Sequence, residues 1–501
     1  MQLSGTPLTL EEIASVAAGS SGIELSGAAI DRIRATRAVV ERVLSKGQVV
    51  YGVNTGFGKL ADIRIPDSEL DELQLDLVRS HACGLGLPLS EAETRAMMLL
   101  RANVLALGYS GCRVELVEAL LKMLALGVLP YVPEKGSVGA SGDLAPLAHL
   151  ALSMIGEGES WYHGQLLNGG EALRAAGLAP VRLAAKEGIA LLNGTQAMGA
   201  VGGLALFRAL RVAALADLAG AMSLEALRGT PVAFDERIHA ARPHKGSQAV
   251  AAHLRDLLAG SEIRMSHLVN DPRVQDAYSL RCMPQVHGAV RDALQHGRAA
   301  VEIESGSATD NPLVFAESDE ILSGGNFHGA PLALAFDYAA IAMTDLMSIS
   351  ERRIDRLINP DLNEGLPPFL SASPGKSSGY MMVHVSAAAL LNESRVLAHP
   401  ASVDNVPTSG GKEDHVSMGM TSALKLRQIV DNAENVIAIE LLIAAEGLDY
   451  RLPLRSSPRI ERARGLIRSF LPRLAADRSL SREIGALAQA VRRGDFAEFC
   501  S

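Results

Sequence analysis

Long stretches of helical periodicity limit the folds open to this chain of 501 residues. From about residue 189 onward, apolar residues recur at the spacing of one helix face over segments such as 332–354 and 426–444. The residues on that face are Leu332, Phe336, Met343, Met347 and Ile354 in the first segment, and Leu426, Val430, Ala433, Ile437, Leu441 and Ala444 in the second. Because both segments exceed an average globular helix, we expect a mainly α fold built on a bundle of long, roughly antiparallel helices.

The composition agrees with a helical interior and excludes two classes of partner. Hydrophobic residues make up 48% of the chain but aromatic residues only 4%, so the apolar content is mainly aliphatic, and its Ala and Leu favour helix. The net charge is −9 and no basic run is present. We therefore expect neither nucleic acid nor a membrane surface as a partner.

Two further features bear on the compartment. The four cysteines show no paired spacing, which favours a reducing environment. The N-terminus shows no basic segment followed by an apolar one, and Arg208, Arg211 and Asp217 interrupt the apolar stretch after Leu191. We expect a cytoplasmic protein without a membrane span.

The pattern divides the chain into two regions. Residues 1–188 mix short helices and turns, whereas residues 189–501 form the long-helix bundle and the expected oligomerisation core. Within the first region, Thr9 is a candidate N-cap, residues 91–127 carry one long helical pattern, and Asp143 to Met154 is predicted to be a helix.

A run of small residues precedes that last helix: Gly136-Ser-Val-Gly-Ala-Ser-Gly-Asp-Leu-Ala-Pro146. Its glycines let the backbone fold onto itself, so that the Gly142 nitrogen can attack the Ala140 carbonyl carbon. Loss of two waters, one carrying the Ser141 hydroxyl, then leaves a ring with an exocyclic methylidene. This methylidene-imidazolone (MIO) is an electrophile, which no ordinary side chain supplies. Ala-Ser-Gly alone also occurs by chance in loops, so the other motifs of the chain decide the interpretation.

Several further segments are dense in reactive or polar residues. They are Tyr51-Gly-Val-Asn-Thr-Gly-Phe-Gly58, Ser80-His81, Asn193-Gly-Thr-Gln196, Gln275-Asp-Ala-Tyr-Ser-Leu-Arg281, Thr309-Asp-Asn-Pro312, Gly325-Asn-Phe-His328 and Glu413-Asp-His-Val-Ser-Met418. Together with Ala140-Ser141-Gly142 they identify the chain as similar, over nearly its full length, to the MIO-dependent aromatic amino acid lyases. The resemblance implies a carbon–nitrogen lyase that releases ammonia from an amino acid. It also implies a homotetramer whose active sites are shared between subunits.

The same resemblance assigns catalytic roles. Tyr51, on a glycine-rich lid, takes the β-proton, for which the site must lower the pKa of its phenol from about 10. Tyr278 exchanges a proton with the amine or with the MIO adduct. The electrophile at Ser141 either binds the amine or attacks the ring of the substrate. The residues alone leave both routes open, and the family favours the amine.

Further residues are assigned to binding. Arg281 clamps the substrate carboxylate, and Asn193 and Gln275 orient that carboxylate and the MIO oxygen, with a structural amide as the alternative for either. Asn311 and Phe327 shape the cofactor pocket, and a core position is the alternative for Phe327. No metal and no external cofactor are expected, because no cluster of His, Cys, Asp or Glu has ligand spacing.

Two places determine the expected substrate. Ser80-His81 is a polar pair where the tyrosine- and phenylalanine-specific relatives carry His-Leu or Phe-Leu, and Glu413 is a carboxylate where they carry Gln. An imidazole both donates and accepts hydrogen bonds, so these residues favour L-histidine, converted to trans-urocanate and ammonia. Glu413 holds the imidazole or acts as a base. Lys412 and Cys83 depart from the usual residues, Gln and Ala.

Two alternatives stay open at this point. The first is the same chemistry on tyrosine or phenylalanine, as an ammonia-lyase or a 2,3-aminomutase. The second is a helical oligomer that has lost catalysis and has a structural or binding role.

Overall fold

The computed structural model describes residues 1–20, 22–56, 58–60, 62–269, 271 and 273–500. Helices account for most of these residues, and several helices are far longer than average. The predicted mainly α class is therefore confirmed. Phe57, inside the Tyr51–Gly58 motif, lies outside the described residues.

In chain order the α-helices are α1 (Leu10–Ala17), α2 (Gly27–Ser45), α3 (Leu70–His81), α4 (Glu91–Ala106), α5 (Val114–Leu126), α6 (Leu144–Met154), α7 (Gly169–Ala175), α8 (Glu187–Leu192), α9 (Gln196–Ala226), α10 (Glu236–Ala240), α11 (Lys245–Leu257), α12 (Glu262–Met265), α13 (Tyr278–Arg281), α14 (Met283–Ser305), α15 (Ala330–Ile358), α16 (Met381–Leu397), α17 (Gly419–Asp449), α18 (Pro458–Phe470) and α19 (Ser481–Arg493). Short 3-10 turns lie at Gly58–Leu60, Asp67–Glu69, Pro231–Phe234, Pro368–Leu370, Ser409–Gly411 and Ala497–Phe499.

The strands are short and form small ladders. They are β1 (Gln2–Leu3), β2 (Glu24–Leu25), β3 (Leu85–Pro88), β4 (Leu129–Pro130), β5 (Pro133–Lys135), β6 (Glu159–Tyr162), β7 (Gln165–Asn168), β8 (Leu313–Phe315) and β9 (Glu320–Leu322). Strands β1 and β2 pair in parallel, whereas β3–β5, β4–β6–β7 and β8–β9 pair antiparallel. The mixed region expected near the N-terminus is present, and β8–β9 adds to it from later in the chain.

The chain folds into two compact units that interleave along the sequence. Unit 1 contains Met1–Phe207, Gly297–Asp337 and Pro400–Leu424. Unit 2 contains Arg208–His296, Tyr338–His399 and Lys425–Ser501. The sequence predicted a single boundary at 188/189, and the compact units do not coincide with it. A functional division at that boundary stays a prediction.

Local signals explain where several helices begin. Thr9 accepts from the Glu12 amide while the Glu12 side chain accepts from the Thr9 amide, so the predicted N-cap is a complete capping box. The pattern over 91–127, by contrast, is two helices rather than one. Between them Gly108 and Gly111 adopt φ of +82° and +67°, a left-handed backbone that ends α4.

The long helices supply the core. The apolar residues predicted for one face of α17, from Leu426 to Ala444, are all fully buried, as are those predicted for α15. By length and composition, α9 and α15 are long and apolar enough to cross a membrane, which the sequence interpretation had not allowed. However, in each helix 67% of the apolar stretch that could span a membrane is buried inside the protein, as in the core helix of a globular fold.

Candidate active site

The small-residue loop before α6 is held by backbone contacts that only glycine tolerates. Gly139 and Gly142 have φ of +71° and +70°. A Cβ atom at Gly142 would overlap the carbonyl oxygen of Gly194, to which the Asp143 amide donates at 2.7 Å. A Cβ at Gly139 would likewise overlap the hydroxyl of Ser417. The loop is therefore packed too closely for any side chain at either glycine.

Two distant segments of the chain close the other side of the loop. The Met418 amide donates to the Val138 carbonyl at 2.8 Å, and the Gly329 amide donates to the Gly139 carbonyl at 3.2 Å. The Ser417 hydroxyl donates to the same Gly139 carbonyl at 3.1 Å. Helix α6 then begins at Leu144 with Asp143 as its N-cap, which confirms the helix predicted there.

Ser141 lies between two predicted site residues. Its hydroxyl donates to Oε1 of Glu413 at 2.6 Å, and Nδ2 of Asn193 donates to its carbonyl oxygen at 2.9 Å. Asn193 is 3% exposed, and within the described part of the chain its Oδ1 has no hydrogen-bond partner. Ala140 is buried as well. An internal ring across Ala140–Gly142 fits these surroundings, because the loop is compact and an amide already holds the central carbonyl.

Glu413 is a charged acceptor beside this serine. Its Oε2 accepts from the Thr408 hydroxyl at 2.6 Å. Burial favours a higher pKa for this carboxyl, but hydrogen bonds from Ser141, Thr408 and Ser409 and the nearby His81 outweigh burial, so the pKa of Glu413 lies below its usual value. The group is an ionised hydrogen-bond acceptor at neutral pH.

Tyr51 departs from the sequence prediction in its acidity. We expected the site to lower the pKa of this phenol, but burial and the nearby carboxylate of Glu413 raise it above 10.0. Only the hydrogen bond from the Gly58 backbone acts in the expected direction. That prediction is wrong for the free protein, because a half-buried phenolate beside a carboxylate is disfavoured by desolvation and by charge repulsion.

The Ser80–His81 pair lies at the C-terminal end of α3. Nδ1 of His81 is 2.8 Å from the Leu77 carbonyl oxygen, which also accepts from the Ser80 hydroxyl at 3.1 Å. Because a carbonyl oxygen only accepts, Nδ1 carries the hydrogen, and Nε2 of the neutral ring is an acceptor. A positive charge on His81 lowers the pKa of Glu413, so the two side chains lie in the same region of unit 1.

Asn311 lies just before β8, and Phe327 lies just before α15. Oδ1 of buried Asn311 accepts from the Gly324 amide at 2.7 Å, so part of its amide fixes the turn after β9. Phe327 is half-buried in the turn that precedes α15. Both residues lie in unit 1, and their role toward the cofactor pocket stays a prediction.

Three predicted site residues lie in unit 2, and the others lie in unit 1. Gln275 is exposed, and Tyr278 and Arg281 are on the one-turn helix α13. The Tyr278 side chain is 70% exposed, and the guanidinium carbon of Arg281 lies 4.6 Å from the centre of its ring. Nε of Arg281 is buried without a hydrogen-bond partner among the described residues.

Two residues that support the site were not singled out from the sequence. Arg101 is fully buried on α4 and donates to the Asn193 carbonyl at 2.8 Å and to Oε1 of Gln196 at 2.7 Å. The sequence feature that points to Arg101 is its position as the single charged residue of the apolar run 96–106. Buried Asp143 accepts from the Ser137 hydroxyl and the Met198 amide, and burial raises its pKa to about 6.

The chain is similar to several proteins of known sequence or structure. A family model described as aromatic amino acid lyase matches residues 8–469. The chain is 55% identical over 502 residues to a histidine ammonia-lyase of Anaeromyxobacter sp. (strain K), with 98% of each chain covered. It is similar to the structure of a histidine ammonia-lyase from Trypanosoma cruzi, with a TM-score of 0.93 and 44% identity over 100% of this chain and 94% of that one. A tyrosine aminomutase from Streptomyces globisporus matches with a TM-score of 0.94 and 37% identity, covering 100% and 98%.

Proposed function

Because this chain belongs to the aromatic amino acid lyase family, we propose that it is a histidine ammonia-lyase, which converts L-histidine to trans-urocanate and ammonia. The observation that carries the choice of substrate is the ionised Glu413 at 2.6 Å from Ser141, with His81 beside it. A carboxylate and an accepting imidazole nitrogen suit a substrate ring that carries N–H donors. A phenylalanine ring carries no hydrogen-bond donor, and a tyrosine ring carries a single O–H where imidazole offers two ring nitrogens.

We propose that Ala140, Ser141 and Gly142 cyclise to MIO, the only cofactor of the reaction. This group supplies an electrophile that makes the amine a better leaving group or the β-hydrogen more acidic. The loop supports the proposal, because Gly139 and Gly142 have left-handed φ, a Cβ at Gly142 would overlap Gly194, and Asn193 holds the Ser141 carbonyl.

The residues of unit 1 then bind the ring and take the proton. A protonated imidazole donates one N–H to the carboxylate of Glu413 and the other to Nε2 of His81, and these two acceptors orient it. Tyr51 removes the β-proton, and the Gly58 amide that bonds to its oxygen stabilises the phenolate form. The substrate is positioned by side chains that are already fixed by Leu77 and Thr408.

The residues of unit 2 complete the site in this proposal. Arg281 and Gln275 bind the substrate carboxylate together with Asn193, and Tyr278 exchanges a proton with the leaving amine. Exposure of Gln275 and Tyr278 suits residues that reach a site on another copy of the chain. We propose a homotetramer with shared active sites, acting in the cytoplasm.

Formation of urocanate tests the activity. Purified protein is incubated with L-histidine, L-tyrosine or L-phenylalanine, and the ultraviolet absorbance of each product is followed. We expect urocanate from histidine alone. Formation of coumarate or cinnamate without urocanate would overturn the choice of substrate.

The mass of the intact chain tests the cofactor. We expect the wild type to be lighter than its sequence by two water molecules, and Ser141→Ala to keep the full mass of its sequence and to be inactive. An unmodified wild-type mass in active protein would contradict the proposal.

A further inference from the structure

Helix α13 carries two of the proposed site residues but is too short to be stable by itself. Tyr278–Arg281 is a single turn, and its N-cap, Ala277, provides no side-chain cap. Isolated helical turns are unstable because one hydrogen bond does not offset the entropy of fixing the backbone. The position of Tyr278 and Arg281 therefore depends on contacts from elsewhere in unit 2.

One such contact comes from a buried arginine. Nη1 of Arg353, on α15, donates to the carbonyl oxygen of Ser279 in the middle of α13 at 3.3 Å. Arg353 is fully buried, and its Nε and Nη2 donate to the two carboxylate oxygens of Glu440, on α17, at 2.5 and 2.9 Å. Because a guanidinium is planar, the bidentate pair with Glu440 fixes the direction in which Nη1 points.

Glu440 is itself held in place. Its Oε1 also accepts from the Ser223 hydroxyl at 2.8 Å, and its Oε2 accepts from the Ser350 hydroxyl at 2.5 Å. The carboxylate thus accepts four hydrogen bonds and is fully buried. Little freedom is left for Arg353 to follow a movement of α13.

The other partner of Nη1 is equally constrained. It lies 3.3 Å from Nε2 of His287, whose Nδ1 is 2.7 Å from Oδ1 of Asp217. Burial lowers the pKa of His287, and hydrogen bonds from His253 and His287 outweigh burial to lower the pKa of Asp217 to about 2. A neutral His287 that donates to the Asp217 carboxylate leaves Nε2 to accept from Arg353.

We propose that Arg353 is a positioning residue that fixes Ser279, and through it Tyr278 and Arg281, in their working orientation. This inference rests on the proposed function of those two side chains. Stability alone is a poor reason for the network, because a buried ion pair is often no more stabilising than well-packed apolar residues. The bond to a backbone carbonyl of α13 gives the pair a second role.

Arg353→Lys tests the proposal. A lysine keeps the charge beside Glu440 but cannot reach Glu440, Ser279 and His287 together. We expect kcat/KM for histidine to fall by roughly tenfold to a hundredfold, as for a small misplacement of reacting groups. Amide hydrogen exchange in the peptide spanning 278–282 becomes faster, while the intact mass still shows the loss of two waters.

Arg208→Lys is the matched control. Arg208 makes the same bidentate pair with a buried carboxylate, Glu434, at 2.8 and 2.7 Å, and lies on α9 in the same unit. We expect its kcat, KM and exchange in 278–282 to match the wild type. An equal loss in both variants would mean that any weakened buried pair lowers activity, which would overturn the proposal.

A double-mutant cycle separates positioning from general stability. In an Arg281→Lys background, Arg353→Lys should change KM by less than about twofold, because the side chain that binds the carboxylate is already impaired, whereas kcat still falls through Tyr278. Independent effects of the two substitutions on KM, which multiply in the double variant, would overturn the proposal. If Arg353→Lys does not fold, Arg353→Met with Glu440→Met removes both charges and the donor to Ser279, and the same outcomes apply.

The two proposals fail in different ways. If wild-type protein forms no urocanate, the proposed function is wrong, and exchange in 278–282 still reports whether Arg353 fixes α13. If urocanate forms and Arg353→Lys matches the wild type in kinetics and exchange, the positioning role is wrong and the proposed function stands.

Discussion

The charge of Glu413 disfavours the phenolate form of Tyr51, and this coupling helps to determine how much of Tyr51 is deprotonated at a given pH. Hydrogen bonds keep Glu413 ionised, and its negative charge adds to burial in raising the pKa of Tyr51. A base with a high pKa is strong but rarely deprotonated. The pair therefore sets the fraction of phenolate in the resting site.

The coupling predicts the effect of Glu413→Gln on the titration of Tyr51. Removing the negative charge should lower the pKa of Tyr51, because one of the two factors that raise it is gone. The tyrosinate absorbance of Glu413→Gln, minus that of Glu413→Gln with Tyr51→Phe, should titrate at lower pH than the matching difference for the wild type. An unchanged or higher midpoint would show that the two side chains are not coupled.

Asp143 predicts a pH dependence of stability. Burial raises its pKa from 3.8 to about 6, so the folded chain binds a proton more tightly than the unfolded chain, and stability falls as pH rises through that window. The difference corresponds to about 3 kcal/mol. The Tm of the wild type should drop relative to that of Asp143→Asn between those two pH values and run parallel above them. A constant difference over the whole range would contradict the assignment.

At the scale of elements, the loop before α6 depends on glycine for two separate reasons. Gly142 has a left-handed φ and no room for a Cβ, whereas Gly164, in the turn between β6 and β7, has φ of +76° and nothing within 4 Å of its Cβ position. Both positions have a left-handed backbone that strains any other residue, but only at Gly142 would a Cβ atom overlap a neighbouring atom.

This difference predicts a contrast between Gly142→Ala and Gly164→Ala. Both variants carry the cost of a left-handed alanine, about 1–2 kcal/mol. Only Gly142→Ala should lose urocanate formation and the loss of two waters from the intact mass, because its methyl group pushes the loop away from Gly194. Wild-type activity in Gly142→Ala would refute the importance of this close packing.

Local patterns predicted the helices better than the site. The faces of α15 and α17, the start of α1 and helix α6 follow from spacing and capping, which depend on neighbouring residues. The break between α4 and α5 was missed because apolar spacing continues through it, although Gly108 and Gly111 were a signal. The raised pKa of Tyr51 depends on burial and on Glu413, which is distant in sequence. Contacts such as Asn193 to Ser141 are long-range in the same way.

The division of the whole molecule was the least predictable feature. Four of the five boundaries, at 207/208, 296/297, 337/338 and 424/425, fall inside α9, α14, α15 and α17, and the fifth, at 399/400, follows α16. No loop, proline cluster or change of composition marks the first four, since helical periodicity continues across each one. A single cut at 188/189 was what composition favoured, and it could not reveal units that interleave.

The proposed sharing of sites predicts complementation between inactive variants. Ser141→Ala and Tyr278→Phe are each unfolded, mixed in equal amounts and refolded together. If Ser141 of one subunit works with Tyr278 of another, random assembly restores about a quarter of the sites. Each variant refolded alone is the control and should stay inactive. No gain in the mixture would place both residues of a site on one chain.

The hydrogen bond from Met418 to Val138 also has a bearing on biosynthesis. A ribosome completes the loop around Ser141 long before it reaches Met418, so the nascent chain carries an ordinary, unstrained serine segment. This hydrogen bond forms only after more than four fifths of the polypeptide has been translated and has folded back. Truncated products that end before Met418 would therefore leave the ribosome without one of the contacts that hold this loop.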